Sequence, residues 1–206
     1  MNKLVKGAVA TAAGVALLMG GAGTFAYWNA STGITGGTIV AGQLTVADAT
    51  PSDGVWTVQK NGTGTAAVVS LSSYKASPGD VITYTKSVKI TATGDNLTAK
   101  LSLAPGSIAG TTISTPDTSL ASYLTKTATI NIVSPPATIV AGTGADLGKY
   151  LLTPGTTGIV NQSVTVAVVI TFPKNVAAGT TNGTVENATM TGSVNLSALA
   201  VNLDQS

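Results

Sequence analysis

Apolar and polar positions alternate with period two through most of the chain beyond residue 43. In VITYTKSVKIT, residues 81–91, Ile82, Tyr84, Val88 and Ile90 fall on one side, and Val81, Thr83, Thr85, Ser87 and Lys89 on the other. That spacing predicts a half-buried antiparallel strand. Lys86 interrupts the apolar side. Leu97, Ala99, Leu101 and Leu103 alternate cleanly with Thr98, Lys100 and Ser102. Residues 164–172 are apolar on one parity and partly apolar on the other, which predicts a central strand. Shorter strands are predicted over 43–46, 55–58, 67–71, 127–133, 188–196 and 199–203, with a bulge or kink near Ser197 where the parity changes.

Turn chemistry separates these stretches. Residues 48–53 (DATPSD), the pairs Asn61-Gly62 and Asn182-Gly183, Gly94-Asp95-Asn96, Pro135-Pro136 and, most plainly, Ser77-Pro78-Gly79-Asp80 punctuate the pattern. Proline presets one dihedral of a turn, and glycine or asparagine supplies a positive φ. SLASYL within 104–124 and DLGKYLL at 146–152 read as short helices. About eight or nine strands at these spacings predict an all-β chain, a jelly-roll-like antiparallel β-sandwich with short helical insertions.

The first residues follow a different pattern. Lys3 and Lys6 precede an uncharged run, AVATAAGVALLM, and GGAGTFAYWNAS places the small residues Thr24 and Ala26 before a junction. This is the layout of a secretory signal peptide cleaved between Ala26 and Tyr27. A retained anchor is the rival, since residues 7–26 carry no charge and would form a helix about 30 Å long. Gly20, Gly21 and Gly23 weaken that helix at its end, and no cation follows before Lys60 to stop transfer. The expected divisions are a signal over 1–26, a glycine-rich arm over 27–43 and a sandwich domain over 44–206.

Charge then narrows the partners. Beyond Ala26 eight lysines face seven aspartates and Glu186, and the chain has no arginine. A neutral surface has no footprint for nucleic acid or an anionic membrane, where phosphate neutralisation supplies the affinity. It also lacks the self-repulsion that keeps copies apart. Neither an LPxTG-like tail nor a C-terminal hydrophobic segment is seen, so no stable membrane anchor is expected after cleavage, and the signal peptidase is a partner only during export.

Histidine and cysteine are absent, which removes imidazole bases, thiolates and the usual zinc ligands. No HExxH, GxSxG or P-loop spacing occurs, so no enzymatic activity and no cofactor are expected. Ser73 to Lys75 reads as a loop. Asp48, Asp53, Asp80, Asp95 and Asp117 sit at turns, where the side chain bonds its own backbone, and no EF-hand spacing favours calcium. Glu186 is read as a loop charge in preference to an acid promoting a Lys–Asn crosslink. Seven Asn-x-Ser/Thr sequons, at Asn29, Asn61, Asn96, Asn161, Asn182, Asn187 and Asn195, follow from composition. Tyr27 and Trp28 at the new terminus read either as an arm adding to the sheet of another copy or as an edge strand paired at home.

The signal ending in GGAGTFAYWN, then TIVAGQLTV, VVSLSSYKASPGDVITYTKSVKI and ATMTGSVNLSAL, in this order, resemble the TasA and camelysin (CalY) family. They are also similar to actinobacterial exported proteins with SipW-dependent signals. The resemblance implies a jelly-roll subunit released by a dedicated signal peptidase and assembled outside the cell into biofilm-matrix fibres, the mature N-terminal segment completing the sheet of the next copy. Carried onto this chain, the donor arm is Tyr27 to about Leu44, with Trp28, Ile34, Ile39, Val40 and Leu44 as donor side chains. The chain departs from the family in its low charge and in having Asn29 where an acidic residue is usual. The protease activity ascribed to camelysin-like proteins finds no metal motif here. The expected function is therefore a secreted, homopolymeric structural subunit. The alternative is a monomeric secreted or surface binding module, adhesin-like, using loops 104–124 and 134–160.

Overall fold

Thirteen residues, Val81–Thr93, form the strand against which half of the domain is assembled. The computed structural model describes residues 2–5, 7, 8, 10–13, 31–33, 36–172, 174 and 184–206. They fall into two units, Met1–Ile39 and Val40–Ser206. In the first, residues 3–5, 7, 8 and 10–13 are helical, while 31–33 and 36–39 carry no regular structure and are exposed. No helix among the described residues is long and apolar enough to cross a membrane.

The second unit is an antiparallel β-sandwich with short helical insertions. Its strands are β1 (Gln43–Asp48), β2 (Val55–Gln59), β3 (Ala67–Val68), β4 (Val81–Thr93), β5 (Ala99–Leu103), β6 (Ala109–Gly110), β7 (Thr129–Val133), β8 (Ile139–Ala141), β9 (Tyr150–Leu152), β10 (Ile159–Thr171), β11 (Val194–Asn195) and β12 (Val201–Gln205). One sheet runs β3-β2-β4-β10-β7, with β1 also on β4. The other runs β12-β5-β9-β8, and β11 pairs β6 in a small ribbon.

β4 is long enough to take two partners end to end on one edge. β2 pairs Val81–Thr85 and β1 pairs Val88–Thr93, while β10 covers the other edge. At the junction the loop after β1 takes over. Ala49 N–H donates to the Ser87 carbonyl at 3.1 Å, and Asp53 Oδ2 accepts the Ser87 N–H at 3.1 Å. The second Asp53 oxygen, Oδ1, is buried without a hydrogen-bond partner.

The alternation read from the sequence fixes the core. Ile82, Val88, Ile90 and Ala92 of β4 and Val164, Val166, Val168 and Ile170 of β10 are buried on the inner face. Opposite them lie Ala99, Leu101, Ile139, Tyr150 and Leu152 of the second sheet. At roughly 1.5–3 kcal/mol for each large aliphatic side chain fully buried, this layer is the main stabilising term.

Three expectations are corrected. DLGKYLL is not a helix: a single 3-10 turn, Gly144–Asp146, precedes β9. Tyr150 and Leu152 point inward because β9 pairs with β5 and β8 on its two sides, and a full set of ladder bonds outweighs weak helix propensity. Residues 188–196 do not form one strand. A short helix, Thr184–Thr189, is followed by the two-residue β11, because the Asp117 carboxylate takes the Ser193 N–H at 2.8 Å and so withholds it from a ladder. Finally, 67–71 is strand only at Ala67–Val68. SLASYL does lie in a helix, Thr115–Thr125, entered by Ser114, whose hydroxyl accepts the Asp117 N–H at 3.4 Å.

Candidate functional site

At one margin of the sandwich an edge strand of each sheet comes into contact with the other. These are β1, paired only to β4 among the described residues, and β12, paired only to β5. Beside them opens a groove of about 250 Å³. Val46 forms one wall, Leu199, Ala200 and Val201 the other, and Tyr84, Val88, Val166 and Val168 line it from β4 and β10. Most of the lining residues are apolar, with Asp48 and Lys86 as the charged exceptions. Edge strands carry unpaired N–H and C=O groups, so such a margin accepts a further extended segment unless something covers it.

Lys86 explains the break in the β4 pattern. It shares the inward parity of Tyr84 and Val88 and lines the groove. Its Nζ donates to Asp48 Oδ2 at 2.7 Å, with side-chain exposures of 20 % for the lysine and 53 % for the aspartate. The hydrogen bond to Asp48 raises Lys86 above the ordinary lysine value, and partial burial works against it. Asp48 also keeps the parity of Leu44 and Val46 along β1. The pair therefore places two charges at the edge of an apolar groove.

The arm reaches this margin through β1. Leu44 is partly buried against the core and lies opposite Ala92 of its own β4. Ile39 and Val40, in contrast, are 97 % and 85 % exposed and belong to no strand. A Cβ at Gly42 would collide with the Thr93 carbonyl, so the chain needs glycine to leave β4 closely at this point. Ala26, Tyr27, Trp28 and Ile34 lie outside the described residues. So does the side chain of Glu186.

The turn aspartates do not converge. Among the described residues no group of three or more acids, histidines or cysteines is placed to hold a metal ion. Two of them instead knot the chain. Asp80, buried in the Ser77–Asp80 turn, accepts the Tyr74 hydroxyl at 2.6 Å, Ser77 N–H at 2.9 Å and Asn61 N–H at 3.1 Å. Burial pushes its carboxyl up, but these three donors outweigh that and hold it below the usual value. Burial and then the Asp80 bond raise Tyr74 to about 12. Asp117 takes Ser193 N–H together with the Thr112 N–H and hydroxyl, at 2.8, 2.9 and 2.7 Å, and is held below the usual value by Ser193 first. The sequence places these aspartates at turns but does not show that they bind other segments, because most of their donors are backbone N–H groups, which carry no sequence signature.

The groove itself was not foreseen. The one signal was Lys86, a charge on an otherwise apolar parity. Searches against protein-family models, curated proteins and solved structures return no match.

Proposed function

We propose that the chain is a secreted structural subunit of extracellular fibres, each copy donating its N-terminal arm to the groove beside β1 and β12 of the next. The single observation that carries this reading is the pairing of an open apolar groove with an exposed apolar arm on the same molecule. A void of roughly 150 Å³ takes up benzene, so one of about 250 Å³ holds about ten carbon atoms. That suits a pair of aliphatic side chains. Extended backbone alternates, and Ile39 with Ala41 gives two apolar residues at successive inward positions. Burying an isoleucine contributes about 1.5–3 kcal/mol, and backbone bonds to a sheet edge add register.

Such a contact joins two different surfaces, so it does not close on itself and propagates as a filament. The neutral charge beyond Ala26 is compatible with close-packed copies. Export through a cleaved signal, with Ala26 and Tyr27 at the cut, places assembly outside the cell. The resemblance to the TasA and camelysin family points the same way.

A second reading, a monomeric surface binding module, has its own support in Ile113 and Leu147, which are 99 % and 79 % exposed in the two long connections. Electron microscopy and size exclusion of a chain beginning at Tyr27, beside one beginning at Gln43, separate the two. The fibre reading expects filaments from the first and monomers from the second. Monomers from both, at high concentration, favour the binding module.

A further inference from the structure

We infer that Lys86 is a specificity-determining residue of the groove: it fixes the register of the incoming strand by demanding an oxygen at one position. The inference rests on the strand-donation reading and adds a selection rule to it. Extended segments slip easily, and one as rich in glycine as GGTIVAG has little of its own to define a register. The acceptor must therefore supply the definition.

The geometry supplies it. Lys86 occupies an inward position between Tyr84 and Val88, among groove-lining valines. An ammonium has three protons to donate, and the hydrogen bond to Asp48 at 2.7 Å accounts for one. A strand whose apolar side chain covers Lys86 strips water from the remaining donors without replacing it. A carbonyl, hydroxyl or amide oxygen at the same place restores the bonds. An unmet charged donor is costly enough to discriminate about tenfold or more between registers. Inward-facing charge is also a known way for an edge to resist indiscriminate pairing. On the arm, Thr38 adjoins Ile39 and every residue adds a backbone carbonyl, so apolar side chains and oxygen acceptors lie within one short segment.

The chain has no cysteine, so single introduced thiols report register directly. Chains carrying Thr38→Cys or Ala41→Cys are mixed in turn with a chain carrying Ala200→Cys on the groove wall, under oxidising conditions. With Lys86 present, one arm position is expected to cross-link about tenfold better than the other. In Lys86→Met, where an apolar chain of similar shape replaces the charge, that preference is expected to fall to about threefold or less. Asp48→Asn leaves the charge with a weaker partner, and the preference is expected to hold or sharpen. Thermal melts confirm that each variant is folded. An unchanged preference in folded Lys86→Met overturns the register role and leaves strand donation standing. If Lys86→Met does not fold, a lost preference in Asp48→Asn overturns the role instead. Absence of any arm-to-groove cross-link overturns both.

Discussion

The Tyr74 hydroxyl lies 2.6 Å from Asp80 Oδ2 and donates to it, tying the serine-rich loop 70–77 to the turn that starts β4. The same turn is latched to the end of β10, since Gly79 N–H donates to the Phe172 carbonyl at 2.6 Å and Phe172 N–H to the Asp80 carbonyl at 2.8 Å. Gly79 sits at φ +104, where a side chain is strained. One carboxylate therefore organises the entry to the longest strand.

Alkali should loosen this knot. Tyr74 is raised from 10.0 to about 12, so the folded state keeps its proton over a range in which the unfolded chain loses it. The contribution is fully present below the unfolded value, falls progressively as pH rises from 10 towards about 12, and is gone above. Denaturant midpoints of wild type and Tyr74→Phe, measured from neutral pH upward, check this. The wild-type advantage should shrink across that window and remain flat below it.

Acid acts on the partner with the opposite sign. Asp80 is held below its ordinary value of 3.8, so its contribution is complete above that value and disappears as pH falls through the lower folded value. At neutral pH, Asp80→Ala leaves the Ser77 and Asn61 N–H groups and the Tyr74 hydroxyl without their acceptor. The expected loss is about 2–4 kcal/mol by chemical denaturation.

Ile90 is fully buried on the inner face of β4, with partners on both sides and the second sheet above. Ile90→Ala should lower stability by about 2–5 kcal/mol, through lost transfer energy and the void left behind. Urea denaturation with an unchanged slope checks it.

Asp117 joins the helix Thr115–Thr125 to Ser193 of the C-terminal segment. Asp117→Ala should raise amide exchange at Ser193 and Thr112 while leaving β4 and β10 protected. Hydrogen exchange resolved by residue distinguishes this local opening from global loss.

Much of the sandwich was legible because burial imposes period two on long strands. β4 and β10 could be read residue by residue, and Ile130 and Ile132 marked β7 as firmly. β8, β9 and β11 could not, since strands of two or three residues carry too few alternations to be told from turns. β9 holds its place through partners on both edges and through Tyr150, whose hydroxyl accepts the Ile132 N–H at 3.0 Å. That contact joins the two sheets across residues far apart in sequence. The groove was less legible still. It arises where β1 and β12, from opposite ends of the domain, meet, and only the misplaced charge of Lys86 hinted at it.

The central claim is that the arm of one copy enters the groove of another. Because the chain has no cysteine, a mixture of Ala41→Cys and Ala200→Cys chains, each beginning at Tyr27, tests it by disulfide trapping. Each partner alone is the control. A covalent heterodimer is expected in the mixture well above the homodimer yield of either chain, and a ladder of oligomers from the doubly substituted chain. A mixture that cross-links no more than its separate components would contradict it.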